Sequence, residues 1–211
     1  EILILSINVN LTSLLISCII GLPIGAFLSI YNFPFKISII GILSTMMSFP
    51  PVVIGLIVYI HVSRSGPLGW LNILYTPSAM IVAQIILIVP IISSLSYQFL
   101  ENLNEEYSDL FFSLSVPKHK AMLAYLFDAR YSLCTVVLAG LGRAMSEVGA
   151  VIIVGGNIDH LTRIMTTTIA LETSKGNLSL ALALGMILLF FSLIINISAT
   201  YIKNISQKNA Y

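Results

Sequence analysis

Long apolar runs alternate with short polar stretches along this chain. Because about 20 apolar residues make a helix long enough to cross the hydrocarbon core of a bilayer, each run of that length predicts a transmembrane helix. Five runs qualify, at residues 2–30, 37–62, 78–100, 131–154 and 178–202. We therefore expect an all-α fold, a polytopic membrane helical bundle that forms one transmembrane domain over the whole chain.

Two of these runs contain residues that a plain span lacks. Pro50 and Pro51 remove two backbone donors from the second run, and the fourth run carries Arg143 and Glu147 at a spacing that allows pairing on one helix face. Helix breaks and charges at membrane depth occur mainly where they face a bundle interior or a water-filled cavity. The candidates for a solute pathway or gate are Pro50, Pro51, Arg143, Glu147 and Gly149.

Each of these features also has a structural explanation. The two prolines could form a simple kink, and the pair of Arg143 and Glu147 could lock two helices together. The sequence leaves both alternatives open.

The longest polar stretch covers residues 101–130 and is too short for a domain. It fits one or two surface helices between spans, and it could dock a partner protein. The alternative is an interfacial helix that lies on lipid. One side of it is apolar and consists of Leu110, Phe111, Phe112, Leu114 and Val116.

Basic residues indicate the orientation, since Lys and Arg are enriched in cytoplasmic loops. With the N-terminus outside, six basic residues lie on the cytoplasmic side and three, Arg64, Arg163 and Lys175, lie on the outer side. This arrangement places the 101–130 stretch and the C-terminus in the cytoplasm. The six cytoplasmic residues are Lys36, Lys118, Lys120, Arg130, Lys203 and Lys208.

Composition narrows the function. The chain is 57% hydrophobic and only 9% charged, against about 25% charged in soluble domains. A net charge of +1 without a basic tract argues against a nucleic-acid partner. Nucleotide-binding loops, metal-ligand spacings and paired catalytic residues are missing from the sequence. We expect neither an enzyme nor a cofactor or metal, and transport is the interpretation that remains.

Three classes of membrane protein fit this pattern to different degrees. A secondary transporter driven by an ion gradient usually has more spans, an internal repeat and intramembrane acids. A permease driven by a partner needs a cytoplasmic docking helix, which residues 101–130 could supply. A non-transporting scaffold would need neither broken helices nor buried charges. Since five spans enclose little volume, a homodimer with a shared pathway is expected.

Residues 142–150 read Gly-Arg-Ala-Met-Ser-Glu-Val-Gly-Ala. Through this run most specifically, and over nearly its whole length, the chain resembles the tungstate-type permeases of ABC importers, within the molybdate and sulfate group. The run Leu-Glu-Thr-Ser-Lys-Gly at 171–176 favours the tungstate branch. Further matching stretches lie at residues 49–56, 63–70, 153–158 and 162–167.

The resemblance implies a type I homodimeric permease in the inner membrane. It also implies cytoplasmic ATPase subunits, an extracytoplasmic oxyanion-binding protein, and transport by alternating access. Tungstate is the expected substrate, with molybdate or sulfate as alternatives.

The family docks its ATPase through an E-A-A-x-x-x-G signature, and this chain departs from it. Asp109 stands for the acid, Leu110 and Phe111 for the alanines, and Ser115 for the glycine, with Val116 following. Because Phe is larger than Ala and Ser lacks the backbone freedom of Gly, we expect an altered docking surface here.

Overall fold

The chain folds into helices separated by short turns. The computed structural model describes the backbone of residues 1–209 and the side chains of residues 1–198, 200 and 201. Over that part of the chain it contains no strand, which confirms the expected all-α fold. The side chains of Lys203 and Lys208, used above for the orientation, lie outside the described residues. The helices are α1 (Ile2–Ile30), α2 (Lys36–Met47), α3 (Pro51–Val62), α4 (Pro77–Ser113), α5 (Lys118–Asp128), α6 (Arg130–Ser146), α7 (Gly149–Gly155), α8 (Met165–Ser174) and α9 (Leu178–Asn209).

Three continuous helices are long and apolar enough to cross a membrane, namely α1, α4 and residues Leu178–Ser198 of α9. Two further spans are possible if bent helix pairs are counted. The pair of α2 and α3 is bent by 102°, and the pair of α5 and α6 by 72°. The described residues therefore provide three to five spans, an interval whose upper limit equals the number predicted.

The break predicted within residues 37–62 is present, because the prolines end the first helix and begin the next. The structure corrects the extent of two other predicted spans. The span predicted at 78–100 continues without a break to Ser113, since no proline or glycine follows to stop it. The segment 131–154 is broken at Glu147 and Val148 rather than first at Gly155.

Helices α1 and α4 form the most closely packed pair. A Cβ atom added to Gly25 would lie 2.7 Å from Ser96 Cβ and 2.8 Å from the Ser93 carbonyl oxygen. One added to Gly21 would lie 2.9 Å from Ile92 Cγ2. Small residues let helices approach closely in lipid, where no hydrophobic force drives them together. This pair therefore forms the rigid centre of the chain.

A second close approach joins the two broken segments. A Cβ atom on Gly55 of α3 would lie 2.7 Å from Ala150 Cα of α7. Val58, Val62, Val151 and Val154 extend the same contact as buried side chains. Helices α3 and α7 thus pack as a unit against the end of α4 that begins at Pro77.

A separate cluster lies at the other end of α4 and joins it to α5. Its buried members include Leu100, Ala121 and Tyr125, and Tyr107 and Phe111 pack against them. The polar stretch at 101–130 is therefore a folded extension of the bundle. Its position is fixed by the same helix that continues into the apolar region.

Candidate functional site

The helix break predicted at Pro50 and Pro51 meets the break that the structure shows at Glu147 and Val148. Helix α3 starts with Pro51, a position where the missing N–H group is tolerated because it has no partner within the helix. A Cβ atom on Gly149, the first residue of α7, would lie 2.7 Å from Val52 Cγ2. The first turns of α3 and α7 are thus neighbours. The candidates Pro50, Pro51 and Gly149 belong to one site.

Glu147 holds this site together. It follows the last residue of α6 in an extended conformation, with φ −78° and ψ 125°, and only 4% of its side chain is exposed. Its Oε1 accepts a hydrogen bond of 3.1 Å from the backbone N–H of Ala150 in the first turn of α7. Because N–H groups in a first helical turn lack partners within the helix, this carboxylate caps α7.

The backbone of Glu147 makes a further link. Its carbonyl oxygen accepts a hydrogen bond of 2.9 Å from Thr166 Oγ1 on α8. One residue therefore ties α6, α7 and α8 to each other. The structural alternative stated above, that the charged pair locks helices together, therefore applies to Glu147.

Arg143 lies in the last turn of α6 and is less constrained. Its Nη2 is 3.6 Å from Glu147 Oε2, and 32% of its side chain is exposed. Within the described part of the chain its Nε has no hydrogen-bond partner. A guanidinium has five N–H donors and suits oxyanions. Because Nε is buried, Arg143 could meet a passing anion only through the exposed third of its side chain, and the nearby carboxylate weakens the attraction.

The polar stretch between α4 and α5 presents an apolar edge to the surroundings. Phe112 is 88% exposed, and Leu110 and Leu114 are also exposed. Phe111, which the family signature would place in the docking surface, is half-buried. Its ring packs 5.3 Å from that of Tyr125 between centroids. Phe111 therefore supports the edge from beneath, and Phe112 is the aromatic residue that faces out.

The turn after α4 is made by the residue that replaces the signature glycine. Ser115 has φ 53°, in the left-handed region where glycine is favoured. The N–H group of Val116 donates a 2.9 Å hydrogen bond to the Phe111 carbonyl and closes the turn. Val116 itself packs against the cluster around Tyr125, and Asp109 is exposed on the last turns of α4.

Sequence reasoning missed the uncharged polar residues that form hydrogen bonds near the break between α6 and α7. Thr166 is one, and Gln84, Asn10 and Ser13 form an amide and hydroxyl cluster beside the end of α6. The only available signal was polarity inside apolar runs. It could not show which of many such residues would meet. Across the described residues, no group of three His, Cys, Asp or Glu side chains could hold a metal ion.

No family model matches the chain. It is, however, 40% identical over 195 residues to a protein named tungstate uptake system permease protein TupB, from Peptoclostridium acidaminophilum, covering 92% of this chain and 86% of that protein. A probable anion ABC transporter permease protein of Haloferax volcanii is 40% identical over 196 residues, covering 90% and 84%. A tungstate uptake system permease protein TupB of Campylobacter jejuni is 39% identical over 166 residues, covering 79% and 70%.

Proposed function

This chain belongs to the permeases of ABC transporters, and we propose that it is the transmembrane conduit of an importer for tungstate. The observation that supports tungstate as the substrate is the 40% identity, over 92% of the chain, to a permease named for tungstate uptake. The Haloferax relative is named for an anion without further detail. Molybdate and sulfate, which share the tetrahedral shape and the charge, are therefore the competitors to test.

The pathway in this proposal passes the site where the two helix breaks meet. The backbone there is irregular just before the helix starts at Pro51 and Gly149, with Pro50 in an extended conformation, and Arg143 supplies a partly exposed cation. Irregular backbone at membrane depth is tolerated where it lines a cavity. Because Glu147 reduces the positive charge, the site would bind an oxyanion weakly and release it readily, as a conduit requires. Selectivity would then rest mainly with an extracytoplasmic binding protein.

The energy in this proposal comes from ATPase subunits that dock on the edge between α4 and α5. Leu110, Phe112 and Leu114 offer an exposed apolar surface with Asp109 beside it, and Ser115 shapes the turn. Docking of such residues into a groove on the partner would remove this apolar area from water. The ATPase would pull the two copies of this surface together, and α4 would transmit the movement to the pathway.

Two copies of the chain would enclose the pathway between them. Helix α2 has no buried residue in the single chain, although it is strongly apolar. A helix that is apolar on all sides is normally covered by protein or lipid. In this arrangement the N-terminus lies outside and the docking surface in the cytoplasm, as the basic residues indicate.

Reconstituted vesicles test the transport function directly. They would contain this chain, its ATPase and its binding protein, with tungstate supplied with and without ATP. We expect ATP-dependent uptake that survives excess molybdate and sulfate. Uptake that molybdate blocks equally would make the substrate a wider oxyanion class. Uptake that follows an ion gradient without ATP would replace the proposal with a secondary transporter.

The roles of individual residues are tested in the same vesicles. Arg143→Ala should reduce uptake about tenfold, and Arg143→Lys should retain more because its charge remains; unchanged uptake in both would remove Arg143 from the pathway. For docking, Phe112→Glu should release the ATPase during purification. Phe111→Leu, which keeps an apolar group under the edge, should not. The reverse result would return the docking role to Phe111.

A further inference from the structure

Gln84 lies at the centre of a buried hydrogen-bond cluster beside the break in the fourth apolar run. Only 1% of this residue is exposed. Its Nε2 donates to Asn10 Oδ1 at 2.9 Å and to the Ala144 carbonyl oxygen at 3.4 Å. Its Oε1 accepts from Ser13 Oγ at 2.6 Å. One side chain of α4 therefore connects α1 with the last turn of α6.

The carbonyl that Gln84 reaches lacks a normal helical partner. In a continuous helix the Ala144 oxygen would accept from the N–H group four residues later, but α6 ends at Ser146. The N–H group of Glu147 lies 3.4 Å from it instead. Unsatisfied carbonyls are costly at membrane depth. Gln84 thus supplies a donor that the break has removed.

The hydrogen bonds that Gln84 makes to α1 are shorter than the one it makes to α6. The contacts between α1 and α4 are 2.6 and 2.9 Å long, whereas both contacts to the Ala144 oxygen are 3.4 Å. Since hydrogen bonds weaken as they lengthen beyond the usual 2.7–3.2 Å, the link to α6 is the weak one. If it opens, Gln84 still has partners in Asn10 and Ser13.

The last turn of α6 also has room to move. Leu141 and Met145 line a cavity of about 240 Å³ that extends between α1, α8 and α9. Asn10 and Thr166 lie on the wall of the same cavity. This cavity is partly open to the surroundings, so the side of the turn that faces it is not close-packed against protein. A small shift of the turn toward the cavity therefore meets less steric resistance than it would in a closed interior.

We propose that Gln84 is a positioning residue of the transport cycle. It holds the last turn of α6, and with it Arg143 and Glu147, in one of two positions, and it releases that turn in the other. The bonds to Asn10 and Ser13 persist in both positions, so only one of the two N–H groups of the amide loses its partner on release. The proposal rests on the transport function proposed above, and wild-type uptake tests that function separately.

The first experiment measures the number of tungstate ions imported per ATP hydrolysed. Gln84→Met keeps the length of the side chain but removes the donor. Gln98→Met makes the same change at an exposed position of the same helix. We expect the ratio to fall about fivefold for Gln84→Met, the factor that corresponds to one ordinary hydrogen bond, and to stay at the wild-type value for Gln98→Met. A purely structural role would lower the melting temperature and leave the ratio unchanged, and that result would overturn the proposal.

A second measurement uses the wild-type protein, so it does not depend on whether a variant folds. Solid-state NMR can detect the dipolar coupling between the Gln84 side-chain nitrogen and the Ala144 carbonyl carbon in the assembled transporter. We expect this coupling in either the nucleotide-free state or the state trapped with an ATP analogue, but not in both. Equal coupling in the two states would overturn the proposal.

Discussion

The continuous pair of α1 and α4 differs from the broken segments in how it uses polar residues. Along the close contact of Gly21 and Gly25 with α4 the polar side chains are small serines, and the hydroxyls of Ser17, Ser93 and Ser96 are buried without a hydrogen-bond partner in the described structure. At the breaks, Glu147 and Thr166 each pair with a backbone group. The directed contacts between α1 and α4 themselves, those of Gln84, lie next to the break at the end of α6.

The difference follows from backbone hydrogen bonding. A continuous helix satisfies its own N–H and C=O groups, so its side chains can be chosen for close approach alone. A broken helix exposes several of those groups, and side chains must satisfy them. Packing therefore stabilises the first region and hydrogen bonds position the second. Substitutions should distinguish the contribution of packing from that of hydrogen bonds, with the largest effect expected in the packed pair.

The largest effect is expected from Gly25→Ala, which puts a methyl group against backbone and Cβ atoms of α4. Overpacking of this kind costs about 1–3 kcal/mol, and we expect a lower melting temperature in detergent. Gly41→Ala is the matched control, because a Cβ atom there meets nothing within 4 Å. Equal melting temperatures for the two variants would show that α1 and α4 are not closely packed.

A smaller effect is expected at the break. Glu147→Ala removes the cap of α7 and should cost about 1–2 kcal/mol. Glu147→Gln keeps an oxygen that can accept from the Ala150 N–H group, so it should lose much less. Thermal unfolding of both variants measures the difference. Equal losses would mean that the ion pair with Arg143, and not the cap, stabilises the break.

A stabilising change is expected at the turn after α4. Ser115→Gly relieves a left-handed conformation that costs an L-residue about 1–2 kcal/mol, less the entropy that glycine loses on folding. The expected gain is therefore about 0.5–1 kcal/mol in the free energy of unfolding. Ser113→Gly, two residues earlier in the helix, should destabilise instead. A loss in both variants would show that Ser115 is held by contacts of its side chain.

The smallest effect concerns an exposed contact that lies outside both regions. His160 Nδ1 is 2.7 Å from Glu1 Oε2. The hydrogen bond with Glu1 raises the pKa of His160, with the charge of Asp159 acting in the same direction. The same hydrogen bond lowers the pKa of Glu1.

The signs set the pH range of this contact. A raised histidine pKa means that the contribution is present at low pH and is lost as pH rises through that pKa. A lowered carboxylate pKa means that it is lost as pH falls through the pKa of Glu1. An NMR titration should show the pKa of His160 falling in Glu1→Gln, with no change in melting temperature. An unchanged pKa would contradict the pairing.

The sequence predicts the apolar segments and the proline break well, because both depend on residue type alone. It could not predict that α4 would continue to Ser113, since hydropathy falls at Glu101 while helix propensity does not. The break at Glu147 was also missed. Glutamate favours helices, and only the capping contact with Ala150 shows why the chain leaves the helix there.

The apolar edge between α4 and α5 shows a second limit of sequence reasoning. Phe111 and Phe112 are identical in type and adjacent in the chain, but they point about 100° apart on a helix. Which of them faces the cluster around Tyr125 depends on where α5 packs, and α5 is placed by tertiary contacts. The charged pair shows the same limit, since residue spacing predicted the contact but not the separate roles of its members.

The length of α4 has a mechanical consequence. At 37 residues it is about 55 Å long, whereas the hydrocarbon core is about 30 Å thick. Its far end therefore projects well beyond the membrane as a rigid arm. Pro90 lies within this helix and removes one backbone hydrogen bond, so we expect a tilt of α4 to be centred at this residue.

For an arm that pivots at Pro90, the outer segment to Ser113 is about 35 Å long and the inner segment to Gln84 about 9 Å long. The leverage is thus about four to one. A displacement of about 4 Å at the Ser113 end would move Gln84, together with the closely packed α1, by about 1 Å relative to α6, so that the bonds to Asn10 and Ser13 are kept. A movement of that size is enough to open a hydrogen bond that is already 3.4 Å long.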